Sequence, residues 1–492
     1  MVVMKFGGSS LTDGSSLKRI AEIIRGNSFS RRVVVLSAVG GVTDTLIRAM
    51  DTALQDETSI SDSVASIRHL HEAILTEGIV DSAIRQSVSK ELDGLFSRLR
   101  RLLKGAAYTG EVTPRTCDHI LSMGERMSVH LMAGCLRSMG VPSEAVESDQ
   151  IGMLAAGPWG NGTIQTETVR KQIPLFFHPL FQKGVVPVIT GFFGQDEDGD
   201  PLTFGRGGSD YSAAVLADAL KAERLEVWKD VDGFLSGSPE MVDGGQMLDT
   251  LSYDEAAELA HFGATILHPR TVEPLLARKI PILVRNTFKP DSPGTWIREQ
   301  GTPRQGVVKS VTFDRNVAML RVHGADVGYA VGLLANLVSE LSRTGINIRS
   351  VMTSQTCINI LLNQTDLAQG FKYIRSLGLG SVDTVEAVDN INLVAVVGDG
   401  LARSEGLVAR VINVLIHEGI HVELIVSGAS RVAAYFLVRQ EKLKQTVKLV
   451  HDTFFPSQEL RDELIPSGEG KSSWPRHIRR SMRRSESGKL LF

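Results

Sequence analysis

Cysteine is scarce in this sequence. Cys117, Cys135 and Cys357 stand far apart, with no CxxC pair and no zinc-ligand spacing. That excludes a disulfide framework and a cysteine-held metal, and it points to a reducing compartment. Charge of neither sign dominates: 53 Lys and Arg face 56 Asp and Glu, a net charge of −3. Neither nucleic acid nor an anionic membrane is therefore expected as a partner. No apolar run reaches the ~18 residues of a membrane span, and a strand pattern starts at Met1 or Val2, so no leader or anchor is expected and a cytoplasmic location follows. Two phosphate-binding fingerprints are also missing. In "MKFGGSS" (4 to 10) the lysine precedes the glycines, opposite to a Walker loop, and no third glycine falls at dinucleotide spacing.

What is present reads as α/β. A length of 492 residues suggests about three domains, and 42% hydrophobic with 22% charged residues is ordinary for a globular protein. "RRVVVLSAVGG" (31 to 41), "GVVPVITGFFG" (184 to 194), "RLEVWKDVDG" (224 to 233) and "KIPILVRNTF" (279 to 288) are β-branched runs suited to buried parallel strands. Residues 60 to 105 are charged and amphipathic, which predicts a helical hairpin added to the sheet. Pro290, Pro293, Gly294 and Pro303 then close the first unit near residue 306.

An internal repeat follows. "GLLANLVSELSRTGINI" (332 to 348) and "GLVARVINVLIHEGIHV" (406 to 422) superpose at an offset of 74 without a gap. Leu334, Leu337, Val338 and Leu341 match Val408, Val411, Ile412 and Leu415, an amphipathic helix stripe, and Gly324 matches Gly398. Gly345 and Gly419 sit where a left-handed cap belongs, before a strand. Two small modules of one kind therefore follow the large unit.

Three glycine turns, "FGGSS", "SAVGGVTD" and "FGRGGSDYS", each lie between an apolar run and a helical pattern. Unpaired amides at such turns bind phosphate, and three at strand ends of one sheet predict a site along its carboxyl edge. Lys5 would meet phosphate as a point charge. Glu125 in "SMGERMS" and Arg206 in "GRGG" supply the acid and the fork-like base that an α-amino acid requires.

These stretches, with "VITGFFG", "GRGGSDYSAAVLA", "WKDVDG", "LSYDEAAELAHFGATILHPRT" and "IPILVRNTFKPDSPGT", resemble aspartate kinases in motif and order over nearly the whole chain. The repeated modules resemble the paired ACT domains of that family. The resemblance implies an amino-acid-kinase fold over 1–305, ACT modules over 306–388 and 389–456, and a tail over 457–492. It implies ATP with Mg²⁺, and transfer of the γ-phosphoryl to the side-chain carboxylate of L-aspartate, the first step towards lysine, threonine, methionine and isoleucine. By matching positions, Lys5 and Asp210 would serve the transfer, with Gly7, Gly8, Ser9, Gly207, Lys229, Asp230 and Asp232 on the nucleotide. Ser37, Thr43, Glu125 and Arg206 would hold aspartate, and no protein side chain is assigned as a metal ligand. A homodimer or higher homo-oligomer through the ACT modules is implied as well.

The chain departs from that pattern on the expected nucleotide side. Gly237-Ser238-Pro239-Glu240 replaces a "TDPR"-like stretch, Thr265 replaces a lysine, and Lys229 stands at a common threonine position and would restore some positive charge. His268 is read as a structural helix-end residue, and the basic tail from Lys471 as a solvated extension. A sensor with a decayed kinase domain is the alternative class. Decay would strike Lys5, Glu125, Arg206 and the glycine turns, and all stand. For control, Gly328, Ile348 and Gln355 of the first module are expected to meet an effector, and Arg349 to repel a lysine ammonium, which favours threonine over lysine.

Overall fold

The computed structural model describes residues 1–262, 266–301, 307–401 and 406–456; Thr265, the expected boundary at 305/306 and the basic tail lie outside the described residues. An eight-stranded sheet organises the first unit. Its strands are β1 (Val2–Phe6), β2 (Arg32–Leu36), β3 (Ser143–Val146), β4 (Val186–Thr190), β5 (Arg224–Lys229), β6 (Thr250–Ser252), β7 (Ile282–Asn286) and β8 (Thr295–Arg298). The order is β6-β8-β7-β5-β1-β2-β4-β3, parallel throughout except for the β7/β8 pair. The four apolar runs thus supply β2, β4, β5 and β7.

Strand alternation sorts the two faces. Val2, Met4 and Phe6 enter the core beneath α1 (Gly14–Gly26), α2 (Val42–Gln55), α3 (Ser59–Gly78), α4 (Ser82–Thr109) and α5 (Pro114–Ser138). Val3 enters the opposite core, beneath α6 (Thr166–Gln182), α7 (Gly208–Ala219), α8 (Tyr253–His261) and α9 (Glu273–Leu276). The predicted hairpin is α3 and α4, whose buried stripes pack on the first of these cores. Lys5 shares parity with Val3, so the central strand presents its only charge on the α7 face. Among the described residues no helix is long and apolar enough to cross a membrane.

The repeat folds as two four-stranded sheets with helices. The strands are β9 (Ser310–Asp314), β10 (Ala318–His323), β11 (Ile348–Thr353), β12 (Cys357–Leu362), β13 (Thr384–Val388), β14 (Ile391–Val397), β15 (Val422–Val426) and β16 (Ala433–Arg439). The helices are α10 (Leu333–Arg343), α11 (Leu367–Ser376), α12 (Leu407–His417) and α13 (Leu443–Phe454). α10 and α12 begin and end at the predicted offset, and Gly345 and Gly419 are left-handed, at φ 77° and 65°. β11 and β15 even share an irregularity two residues into each strand.

One strand departs from the expected partition. β9, which falls inside 306–388, pairs antiparallel with β14, giving sheets β9-β14-β16-β15 and β11-β12-β10-β13. The second module therefore takes its outer strand from the segment preceding the first module. The repeat pattern could not show this, because an isolated apolar strand carries no record of which sheet it joins.

Candidate active site

The carboxyl ends of β1, β2, β4 and β5 open into a cleft of about 1400 Å³. The first two predicted turns leave β1 and β2 directly, but the third does not leave the main sheet. It follows Pro201–Thr203, half of an antiparallel ribbon with Phe193–Gln195 that hangs from the end of β4. α7 nevertheless starts at the same edge. Gly207 caps it in a left-handed conformation, φ 75°, and a Cβ there would lie 2.2 Å from the His268 ring. Glycine is required on both counts. The positive end of α7 faces the cleft as an anion site. Of the expected cradle residues, Gly7 has already committed its amide to Trp228 O at 3.2 Å, so a phosphate there falls to Gly8 and Ser9.

Buried charge concentrates where these turns meet. Lys5 Nζ lies 2.6 Å from Asp210 Oδ1, in the first turn of α7, and Lys229 Nζ at the end of β5 lies 3.3 Å from Oδ2. Burial lowers the Lys5 pKa, with Lys229 adding to the effect and Asp210 opposing it. Burial would raise Asp210, but Lys5 and Lys229 prevail and hold it below the ordinary carboxylate value. Glu125 enters from α5, where Gly124 permits close approach, since a Cβ there would lie 2.8 Å from Ala38 Cβ. Burial lifts Glu125 to about 8, against the Ala38 and Glu125 amides, Lys5 and Arg126. Its Oε2 is buried, and among the described residues no hydrogen-bond partner reaches it. An unpartnered buried carboxylate oxygen is costly, and it is the feature an ammonium ligand would relieve.

Ser37 and Thr43 line the same cleft, half-buried, and Arg206 is exposed at its rim. Asp230 and Asp232 line the other side, with Asp232 held by Asn286 Nδ2 at 2.6 Å and Lys289 Nζ at 2.9 Å. The structure thus gathers all the expected catalytic, nucleotide and aspartate residues around one cleft, except that Gly7 does not line it. His268 caps the 3₁₀ turn Pro269–Thr271 by accepting from Arg270 N at 3.3 Å, a structural role, while also packing on Gly207. Sequence reading missed Arg315, which lines the cleft and pairs with Glu240 at 2.5 Å, 75 residues away. It also missed Phe192, another lining residue, held at φ 75°. No local pattern marks either residue.

The effector reading needs correction at two points. Gly328 and Gln355 do meet, but the Gly328 amide already donates to Gln355 O at 2.7 Å, so it is not free for a ligand. Arg349 does not stand as an unpaired charge. Its side chain is 7% exposed, ion-paired to Asp314 at 2.6 Å and bonded to Asn316 O at 2.7 Å, beside α8 of the first unit. Asp314 neutralises the charge expected to repel lysine. Ile348 packs at the edge of the first module's core.

Residues 1–286 match the amino acid kinase family, and residues 394–454 match an ACT domain family. Aspartokinase 1, chloroplastic, of Arabidopsis thaliana is 31% identical over 481 residues, 96% of this chain and 83% of that protein. Lysine-sensitive aspartokinase 3 of Escherichia coli (strain K12) is 30% identical over 459 residues, 92% of this chain and 99% of that protein. The crystal structure of E. coli aspartokinase III in complex with aspartate and ADP superposes with a TM-score of 0.81 at 29% identity, covering 92% of this chain and 100% of that one. With its parallel sheet, its Lys5–Asp210 cluster and its C-terminal ACT domains, the chain belongs to the aspartokinases of the amino acid kinase family and is a kinase enzyme.

Proposed function

We propose that the cleft transfers the γ-phosphoryl group of ATP to the side-chain carboxylate of L-aspartate, giving 4-phospho-L-aspartate. The observation that carries this reading is the juxtaposition of an anion-seeking half, Lys5 and Lys229 at the start of α7, with the buried, unpartnered Oε2 of Glu125. An aspartate side chain ionises near pH ~3.9, so the nucleophile needs no general base. What it needs is positioning and neutralised charge as a carboxylate approaches a triphosphate.

Each residue then has a task. Glu125 takes the α-ammonium, Arg206 the α-carboxylate, and Ser37 and Thr43 orient the body of the substrate. Gly8, Ser9 and the α7 amides from Gly207 onward receive phosphate oxygens. Lys5 moves its charge from Asp210 to the transferring group, and Asp210 keeps Lys5 and Lys229 aimed at it. Among the described residues no cluster of three His, Cys, Asp or Glu could cage a metal. Mg²⁺ typically arrives on the phosphates and keeps several waters. Asp230 and Asp232, which line the cleft on the side read as the nucleotide's, would hold it. Bound there, the ion would neutralise phosphate charge.

The acyl phosphate product is activated for attack at its carbonyl, which suits the first step towards lysine, threonine, methionine and isoleucine. The outermost strands β11 and β15, half-exposed, with Leu334 and Ile416 on α10 and α12, are the surfaces through which copies of the chain would assemble. ATP-dependent acyl-hydroxamate formation with aspartate, glutamate and acetylglutamate tests the reaction. Aspartate should lead glutamate by at least tenfold in kcat/KM, since one methylene is worth ~1–3 kcal/mol. Equal rates, or no product from aspartate, overturn the reading. For feedback control, the pairing of Arg349 with Asp314 removes the charge argument against lysine. Calorimetry should then show lysine bound no more weakly than threonine, and a threonine-only response would restore the repulsion.

A further inference from the structure

The segment from 234 to 248 leaves the nucleotide side of the cleft and returns towards β6, and its middle is buried by the second module. Met241 and Val242, 5% and 3% exposed, sit in that module's hydrophobic core with Val311, Val447, Val450 and Phe455. The backbone extends the module's sheet. Val311 N donates to Ser236 O at 2.8 Å, Ser310 Oγ donates to Leu235 O at 2.8 Å, and Gly237 bridges Val311 in parallel. One side-chain bond closes the arrangement: Ser236 Oγ lies 3.0 Å from His451 Nε2 on α13, and both residues are fully buried. The same hydroxyl accepts from Gln246 N at 2.9 Å, so both legs of the loop meet at one oxygen. Gly237 packs without slack, since a Cβ there would lie 2.7 Å from Val242 Cγ2 and 2.9 Å from His451 Cδ2.

We propose that His451 is a positioning residue for the nucleotide side of the active cleft. Acting through Ser236, it holds the loop whose outer residues Ser238, Pro239 and Glu240 border that cleft. The proposal rests on reading that side as the nucleotide's. A loop held in its binding geometry pays less ordering entropy when ligand arrives. Releasing it therefore weakens nucleotide binding and leaves turnover alone, because Lys5, Asp210 and Glu125 stand on β1, α7 and α5. The second module thus supplies part of the fit for nucleotide through this loop.

The test uses the full chain and two readouts, ADP calorimetry and steady-state kinetics, on His451→Ala, Ser236→Ala, the double variant and His451→Gln. Either alanine should raise the ADP Kd and the ATP KM about tenfold, as expected for one buried hydrogen bond. The aspartate KM and kcat should stay within about twofold, and the pair should be no worse than Ser236→Ala alone, which already deletes the bond to His451 along with the one from Gln246 N. His451→Gln, which keeps a hydrogen-bonding group near Ser236, should recover most of the loss. Variants that bind ADP like the wild type overturn the proposal, as do losses that add in the pair, or that lower kcat along with melting temperature. Should His451→Ala fail to fold, Ser236→Ala, which removes one oxygen atom, decides alone. A wild-type protein that binds no ADP overturns the nucleotide reading and this assignment with it; ADP binding indifferent to the variants overturns the assignment alone.

Discussion

The two halves of the cleft are built on different principles. The phosphoryl half is made within the first unit, from the ends of β1, β2 and β5 and the helices α5 and α7. Its charges are deeply buried, with Lys5 5%, Glu125 3% and Asp210 3% exposed. The nucleotide half is a loop with buried ends and an exposed stretch at Pro239 and Glu240, held from behind by the second ACT module and faced by Arg315 from the segment after β9. Charges in the first half are few, desolvated and mutually dependent, so removing one leaves another stranded. Those in the second half are screened by water, and their removal should change affinity by small factors.

The comparison breaks soonest at Lys5. Lys5→Ala should lower kcat by about 10³, the loss expected when one preorganised charge on a developing anion is removed. The protein should stay folded because Lys229 still neutralises Asp210. Near-normal turnover in the folded variant would mean that the phosphoryl group sits elsewhere. Glu125 comes next, and its raised pKa ties function to stability. The folded state holds this proton more tightly than the unfolded chain. Its stabilising contribution is therefore complete below the ordinary carboxylate pKa and is lost as pH rises through about 8. Gln mimics the protonated form at every pH. Glu125→Gln should thus melt close to wild type at pH ~5 and a few degrees above it at pH ~8.5. Its aspartate KM should rise at least tenfold at pH ~8.5, where the wild-type carboxylate is ionised and a charge-assisted bond is lost, and by less at pH ~5, where both proteins present a neutral group. A variant destabilised at the higher pH would show that this carboxylate is already ionised and paired in the free protein.

These two residues were also the legible part of the site. Lys5 and Glu125 announce themselves because each follows or precedes glycine within one short stretch, and the stretch itself says which end of an element carries it. The parallel sheet, the α3/α4 hairpin and the two module helices were legible for the same reason, as each is written in a local apolar period. What failed was non-local. That β9 joins β14, that Arg315 reaches Glu240 across 75 residues, and that Ser236 meets His451 across 215 are set by packing between units. Arg349 misled for a related reason. Its place in a strand was readable, but the Asp314 that neutralises it lies on a different sheet.

Two milder substitutions sharpen the boundary between the halves. Lys229 touches Asp210 from the nucleotide side, only 16% exposed, so it should behave as a member of the buried cluster. Lys229→Thr should lower kcat/KM for ATP roughly tenfold, at the lower end for a partly desolvated charge pair. A change of twofold or less would move Lys229 to the solvated side. The smallest effect belongs to Arg315. Its bond to Glu240 is short, but the two side chains are 54% and 57% exposed, and such pairs contribute ~0–1 kcal/mol. Arg315→Ala should therefore raise the ATP KM by no more than about fivefold, and by less as salt is increased from 0.05 to about 0.5 M, where the Debye length becomes shorter than the span of the cleft. The aspartate KM should not move. A salt-independent, order-of-magnitude rise in the ATP KM would instead mean that Arg315 leaves Glu240 for the nucleotide phosphates, giving the C-terminal modules a direct hand in the transfer as well as in holding the loop.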